Sequence, residues 1–122
     1  MRIETDESHD LISAEKVDGT KIYGANGDKI GSVKSVMINK TSGKVAHVVA
    51  DIGSFLGMGG EYHVLPWDQL DYDTNLGGYK TMLTEDKLKG APTFKATESH
   101  MAYDRDYETR TYGYYGSTPY FA

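Results

Sequence analysis

Short β-rich runs separated by glycine-containing turns constrain the fold of this chain more than any other feature. Asn26-Gly27 is the strongest short hairpin signal in the sequence, because both residues tolerate a positive φ. Thr41-Ser42-Gly43 and the segment 75–78, Asn-Leu-Gly-Gly, mark two further turns. The runs between these turns have the length and composition of ordinary strands. The pattern therefore predicts an all-β fold, either a small barrel or a sandwich.

The segment 44–52 is the clearest predicted strand. Its even-numbered side chains are all apolar and are predicted to face the core; they are Ala46, Val48, Ala50 and Ile52. The odd-numbered face is mixed, with Val45 and Val49 on either side of His47. Valines on an outward face indicate that something covers it, and a partner subunit is one candidate. We therefore expect Val45, His47 and Val49 to contribute to a protein-binding surface.

The segment 29–38 is a predicted strand with an irregularity. Its apolar positions change parity between Val33 and Val36. A strand that bulges or bends to round a barrel corner shows such a change. A shorter strand at 62–65 is expected to end at Pro66, which cannot donate a ladder hydrogen bond.

The strongest helix signal in the chain is short. Thr84 can cap the N-terminus of this helix, and Glu85 and Asp86 suit the positive end of its dipole. Gly90 and Pro92 then stop it. One short helix is therefore predicted beside the strands.

The C-terminal segment is rich in tyrosine, with six of them between residues 100 and 121: Tyr103, Tyr107, Tyr112, Tyr114, Tyr115 and Tyr120. Two interpretations stay open. The segment is either a mobile extension or an arm that docks on a neighbouring subunit, because tyrosine offers much contact area at a low cost in rotamer entropy. The second interpretation makes Tyr112, Tyr114 and Tyr115 candidate contact residues and predicts a homo-oligomer.

The distribution of charge argues against nucleic-acid binding. Residues 1–20 carry two basic and six acidic side chains, whereas residues 21–94 carry eight of each. A nucleic-acid-binding surface normally shows a basic stripe, because phosphate neutralisation supplies much of the affinity.

The absence of cysteine excludes disulfides and thiolate metal sites. No run approaches the roughly 18 apolar residues of a membrane span, and the acidic N-terminus lacks an apolar signal core, so we expect no membrane insertion and a cytoplasmic location.

Residues 53–70 read Gly-Ser-Phe-Leu-Gly-Met-Gly-Gly-Glu-Tyr-His-Val-Leu-Pro-Trp-Asp-Gln-Leu. This segment resembles the PRC-barrel family, named for the photosynthetic reaction centre, whose members show a Gly-Phe-Leu-Gly-x-Gly turn, a short strand and then Pro-Trp. The segments Val17–Tyr23 and Asn26–Val33 are similar to the first two strands of the family, and Thr41–Val45 to its next turn. Ser35 departs from the pattern, because many members carry an acidic residue there.

The resemblance implies a closed or nearly closed PRC-type β-barrel of about six strands. It covers about residues 11–91 and leads us to divide the chain into an acidic N-terminal extension (1–10), a PRC-barrel domain (11–94) and a tyrosine-rich tail (95–122). The well-known settings of the family, the reaction-centre H subunit and a ribosome-maturation factor that binds a ribosomal protein, imply a protein-binding role.

Two loops resemble ligand sites only in part. The segment 57–60, Gly-Met-Gly-Gly, lacks the following helix and lysine of a phosphate-binding loop, so a tight turn with positive φ explains it better. Asp71, Asp73 and Asn75 have the spacing of the first calcium ligands of a binding loop. Leu76 and Met82 stand where that loop needs glycine and glutamate, which favours an Asx turn instead.

The histidines and the single tryptophan have structural and functional interpretations. His47 and His63 could form a zinc pair with Asp51, although a hydrogen-bonded or interface histidine fits the pattern better. Trp67 is either a core residue or a hot spot of protein binding. No Gly-x-Ser-x-Gly nucleophile elbow is present.

The sequence as a whole favours a non-catalytic adaptor or assembly module that binds a protein, associates with itself and needs no cofactor. A ribosome- or RNA-processing-associated factor and a metal-binding sensor are the alternatives. The balanced charge of residues 21–94 counts against the first alternative.

Overall fold

The computed structural model describes residues 10–121. Its strands, in chain order, are β1 (Lys21–Tyr23), β2 (Lys29–Ile38), β3 (Val45–Asp51), β4 (Glu61–Pro66), β5 (Asp71–Asp73), β6 (Gly78–Lys80) and β7 (Thr93–Lys95). Its α-helices are α1 (Ala14–Val17), α2 (Gly53–Leu56), α3 (Glu85–Lys89) and α4 (Arg105–Tyr115). Two 3-10 helices span Trp67–Gln69 and Ala96–Tyr103.

The seven strands form one sheet in the order β5-β6-β1-β2-β3-β4-β7. Hairpins connect β1, β2, β3 and β4 into an antiparallel meander, β7 adds to β4, and β6 pairs in parallel with β1. The end strands β5 and β7 do not pair with each other, so the sheet is open. The all-β prediction is confirmed in that the fold is rich in strands, although several helices are present where one was expected. The closed or nearly closed barrel of about six strands is not confirmed, because the seven strands form a sheet that does not close.

The bulge expected in β2 is present. Val33 lies opposite Ala50 and Ser35 lies opposite Val49, so two steps along β2 match one step along β3. The extra residue is Lys34, and it lets both Val33 and Val36 face the same side of the sheet. The parity change in the sequence therefore corresponds to a bulge in the backbone of β2.

The sheet separates two apolar clusters, and β3 contributes to both. Val48 and Ala50 belong to the larger inner cluster, whereas Val49 belongs to a smaller outer cluster. The four even-numbered residues predicted to face the core are all buried, with exposed fractions of 8% for Ala46, 0% for Val48 and Ala50, and 1% for Ile52. Strand alternation thus placed these side chains correctly.

The glycine-rich segment after β3 is a tight turn, as predicted. Gly57 ends α2 with φ of 74°, and Gly60 has φ of 88°, conformations that glycine adopts without steric cost. At Gly53 a Cβ atom would lie 2.4 Å from the carbonyl oxygen of Met58, so only glycine fits there. The predicted short helix is also present as α3, with the Thr84 hydroxyl accepting from the backbone N–H of Lys87.

The tyrosine-rich segment folds back onto the sheet. The predicted boundary between residues 94 and 95 falls inside β7, which pairs with β4. Asp104 caps α4 by accepting from the backbone N–H of Tyr107, and Gly116 ends it with φ of 69°. Of the acidic N-terminal extension, residues 1–9 lie outside the described residues.

Candidate functional site

The chain covers the outer face of β3 and β4 with its own C-terminal segment. The outer cluster consists of Val49, Val64, Phe94, Ala102 and Tyr107. Tyr107 is 1% exposed, packs edge-to-face on Phe94 and donates from its hydroxyl to the carbonyl of Pro92 at 3.0 Å. The cover that the sequence predicted for Val49 is therefore α4 and the preceding 3-10 helix of the same chain.

His47 joins β3 to this cover. Its Nδ1 lies 2.9 Å from the hydroxyl oxygen of Tyr112, which in turn lies 2.8 Å from the carbonyl oxygen of Ala46. Its Nε2 lies 3.4 Å from the carbonyl oxygen of Ala102. The one hydroxyl proton of Tyr112 is donated to the carbonyl of Ala46, so both ring nitrogens of His47 face oxygen acceptors. The neutral ring carries a single N–H and donates it to one of them, either the hydroxyl oxygen of Tyr112 or the carbonyl of Ala102. His47 thereby links the sheet to both parts of the C-terminal segment.

Burial keeps this network uncharged. It lowers the pKa of His47, because the charged imidazolium would lose its hydration. It raises the pKa of Tyr112 for the same reason, with a smaller contribution from the carboxylate of Glu108, and it raises the pKa of Tyr107 to about 12. At neutral pH the contact between β3 and α4 is therefore made by neutral groups.

A groove remains open where the C-terminal segment passes β2. It consists of two adjoining cavities of about 440 and 340 Å³ that share Met37, Ala102 and Tyr103 in their walls. We call the two together the outer groove. Its remaining walls include Lys34, Ser35, Ile38, Lys40, Arg105 and Glu108. The exposed ring of Tyr103 and the half-buried Met37 give it an apolar lining that faces solvent.

The charged groups of the outer groove are predominantly basic. Glu108 has a side chain only 3% exposed and pairs with Arg105 at 3.7 Å, while Arg105 also stacks 3.8 Å above the ring of Phe121. Lys34 and Lys40 are exposed, and neither forms an ion pair within residues 10–121. Among the described residues, the groove therefore presents two cations without an ion-pair partner beside an apolar lining.

Four of the seven residues predicted to bind a protein are buried within the chain. His47, Val49, Tyr112 and Tyr115 are between 2% and 9% exposed, because β3 and α4 pack against each other. These side chains lie inside the packed structure, but His47 and Val49 still line the outer groove. Their predicted proximity is nonetheless real for His47 and Tyr112.

The other three predicted residues are half-buried, and two of them, Val45 and Trp67, line one cavity of about 230 Å³. Trp67 packs edge-on against Tyr79 beside the inner cluster, with ring centres 5.3 Å apart, which agrees with the core interpretation. Tyr114 donates to the carbonyl of Lys87 at 2.6 Å and so ties α4 to α3. Val45 lies at the start of β3. Their contribution to binding stays a prediction.

Sequence reasoning predicted His47 and Val49 of the groove lining, but it missed other groove residues. Lys34 is the extra residue of the bulge. No sequence pattern distinguished Met37 from the rest of its strand or Tyr103 from the rest of the C-terminal segment. The bulge was the one available signal, because it turns Ser35 and Met37 to the outer face.

The histidines do not form the zinc pair considered from the sequence. In the register of β3 and β4, His47 lies opposite Pro66 and His63 lies opposite Ala50, so the two rings point to opposite faces. His63 is instead held by Leu88, whose carbonyl accepts from Nε2 at 2.9 Å. Within residues 10–121 no three metal-binding side chains come together.

The loop that resembles a calcium site has a structural role. Asp73 accepts from the backbone N–H groups of Asn75 and Leu76, so its loop is an Asx turn. Among the helices of the described chain, none has the length and apolar character needed to cross a membrane.

Two comparisons place the chain among known proteins. The family model described as the PRC-barrel domain matches residues 9–88. An uncharacterized protein of Deinococcus radiodurans is 25% identical over 92 residues, which are 75% of this chain and 32% of that protein. The chain thus spans about a third of the length of this curated relative. The family match ends before β7, so the C-terminal segment that walls the outer groove lies beyond it.

Proposed function

The chain belongs to the PRC-barrel domain family, and on that premise we propose that it is a non-catalytic module that binds another protein through the outer groove. The groove carries this proposal, because it combines an apolar lining with a cationic rim on a surface that the chain leaves open. Fold alone does not define function, so the support comes from the groove and not from the family.

The environment of the two buried histidines supports a non-catalytic role. His47 and His63 are 2% and 0% exposed, and each has a hydrogen bond to a backbone carbonyl that holds its ring in place. A general acid or base must reach the group that it protonates or deprotonates. Groups enclosed in this way serve packing better than catalysis.

Self-association stays a prediction, and the structure gives fewer reasons for it than the sequence did. The sequence argued for it from an uncovered valine face and an unattached tail. In the structure, Val49 packs in one cluster with Tyr107 of α4 of the same chain, and Tyr112 is hydrogen-bonded to His47. The outer groove, to whose lining β3 contributes His47 and Val49, is the surface that we assign to a partner.

Site-specific cross-linking in the native cell tests the proposal. A photoreactive phenylalanine analogue replaces Tyr103, which is 75% exposed at the groove, or Met82, which is 71% exposed and does not line it. We expect a discrete protein adduct from position 103 and none of comparable yield from position 82. Equal adducts from both positions, or none from position 103, would contradict the proposal.

A further inference from the structure

Beyond its bulge, β2 has a neighbouring strand on one side only. On the β1 side its partners end at Ser32, which lies opposite Lys21, and at Val33, whose N–H donates to the carbonyl of Thr20. On the β3 side pairing continues as far as Ile38. Within residues 10–121 no strand pairs with Lys34–Ile38 on the side away from β3. We call this segment the open edge.

The open edge has the features of a strand that can accept another. In an antiparallel ladder every second residue directs its N–H and C=O groups away from its partner, so part of the backbone of this segment faces outward. Ile38 is 51% exposed, and Val36 is half-buried. The edge strand β5, by comparison, has only three residues, two of them aspartates, a pattern that discourages pairing.

The open edge also forms one wall of the outer groove. Lys34, Ser35, Met37 and Ile38 line the two cavities, and Tyr103 lines both from the opposite side. A strand added to this edge would direct alternate side chains toward the groove, since side chains alternate along a strand. Main-chain pairing and side-chain recognition would then act on the same ligand, as in other cases of strand addition.

The charges of this surface select an acidic ligand. Lys34 begins the open edge, Lys40 lies two residues beyond its end, and Arg105, whose side chain is 60% exposed, also lines the groove. Of residues 10–121, the one carboxylate that lines the groove is that of Glu108, and it is already paired with Arg105. A second copy of this chain is disfavoured, because antiparallel pairing of two open edges would gather Lys34 and Lys40 of both copies along one short ladder.

We propose that Lys34–Ile38 bind an extended, acidic segment of a partner protein by strand addition, with alternate side chains of that segment in the outer groove. This inference rests on the proposed function and names the kind of ligand that the groove takes.

Fluorescence anisotropy with a labelled heptapeptide tests it on the full chain. In the probe, glutamate alternates with isoleucine, and in the control peptide lysine replaces glutamate. We expect saturable binding of the glutamate peptide and binding about tenfold weaker for the lysine peptide. Equal affinity for both peptides, or no saturation by the glutamate peptide, would overturn the inference.

Charge reversal separates the groove from general electrostatics. Lys34→Glu and Lys40→Glu are each expected to weaken binding of the glutamate peptide about tenfold. Lys29→Glu is the matched control, because Lys29 is an exposed lysine of the same strand that does not line the groove. Equal losses in all three variants would overturn the assignment to the groove.

N-methylation of the peptide tests main-chain pairing. Methyl groups on the glutamate nitrogens block one edge of the peptide, and methyl groups on the isoleucine nitrogens block the other. Loss of binding by only one of the two methylated peptides supports strand addition, and equal effects of both methylation patterns overturn it.

A dimer of the full chain that the peptide dissociates would assign the open edge to a second copy instead. Cross-links at position 103 without binding of the peptide would leave the proposed function intact and refute only this inference.

Discussion

At the scale of single residues, His47 is the side chain that most clearly connects the sheet to the C-terminal segment. It lies on the strand with the clearest sequence pattern, yet its partners Ala102 and Tyr112 are 55 and 65 residues further along the chain. Its neutral ring donates to one of these two partners, and burial opposes the charged form, which could donate to both. His63 is buried in the same way on the opposite face of the sheet. The two histidines therefore make the stability of the protein depend on pH.

We predict that the protein becomes less stable as the pH falls below about 6.5. Burial lowers the pKa of His47 and of His63 below the ordinary value of 6.5, so the unfolded chain binds more protons than the folded one in this range. The contribution of the two neutral histidines to the free energy of unfolding is fully present above pH 6.5. It is lost as the pH falls toward the folded-state pKa values. The slope cannot exceed about 1.4 kcal/mol per pH unit for each histidine.

Urea unfolding at several pH values between about 5.5 and 7.5 measures this slope. His47→Gln should reduce it, because one of the two buried imidazoles no longer titrates. His100→Gln, at an exposed histidine, is the control and should keep the slope of the parent protein. A parent protein whose stability does not change over this range would contradict the prediction.

At the scale of elements, the spacing of buried residues in α4 explains why a tyrosine-rich segment can act as a cover. Tyr107, Thr111 and Tyr115 recur at intervals of four, and Tyr112 lies beside them, so one face of the helix is buried. Asp104 and Gly116 define the two ends of the helix. Tyrosine suits this position because its ring packs on apolar side chains while its hydroxyl bonds to backbone carbonyls, as those of Tyr107 and Tyr112 do.

Two tyrosines four residues apart should therefore respond differently to substitution. Tyr107→Ala removes a buried ring from the outer cluster and is expected to lower the free energy of unfolding by about 3–5 kcal/mol. Tyr103→Ala changes an exposed ring and is expected to alter it by less than about 0.5 kcal/mol. Chemical denaturation of both variants measures the difference. Small, equal effects would indicate that the segment does not pack on the sheet of its own chain.

At the scale of the whole molecule, charge and fold together restrict the class of partner. Residues 21–94 are electrically balanced, and the excess of acidic groups lies mainly in residues 1–20. The outer groove concentrates Lys34, Lys40 and Arg105 locally without making a basic stripe. Such a surface suits a short acidic peptide better than the regular phosphates of a nucleic acid.

We therefore expect no useful affinity for single-stranded RNA or duplex DNA at physiological salt. Dissociation constants should be weaker than about 1 µM, because too few phosphates can be neutralised at once. Anisotropy titrations with labelled RNA and DNA at about 0.15 M salt, repeated at lower salt, measure this. Salt-sensitive binding below 1 µM would favour the alternative of a ribosome- or RNA-processing-associated factor.

Much of the sheet could be predicted from the sequence, because the relevant information is local. Turn residues, strand alternation and the parity change in β2 all act within a few residues of one another, and each of them predicted its element correctly. The buried even-numbered face of β3 and the capped helix α3 followed from the same kind of pattern. Local propensity and periodicity therefore determined which segments became strands, turns and the short helix.

The candidate site was decided only by tertiary structure. The sequence indicated that the outer face of β3 needs a cover, but it could not show that α4 of the same chain supplies it, since tyrosines suit an arm, a tail and a helix equally well. The parallel pairing of β1 with β6, the open sheet and the outer groove all depend on contacts between segments far apart in the chain. Which of these contacts form depends on the apolar area that all the segments bury together, and no single segment determines that area.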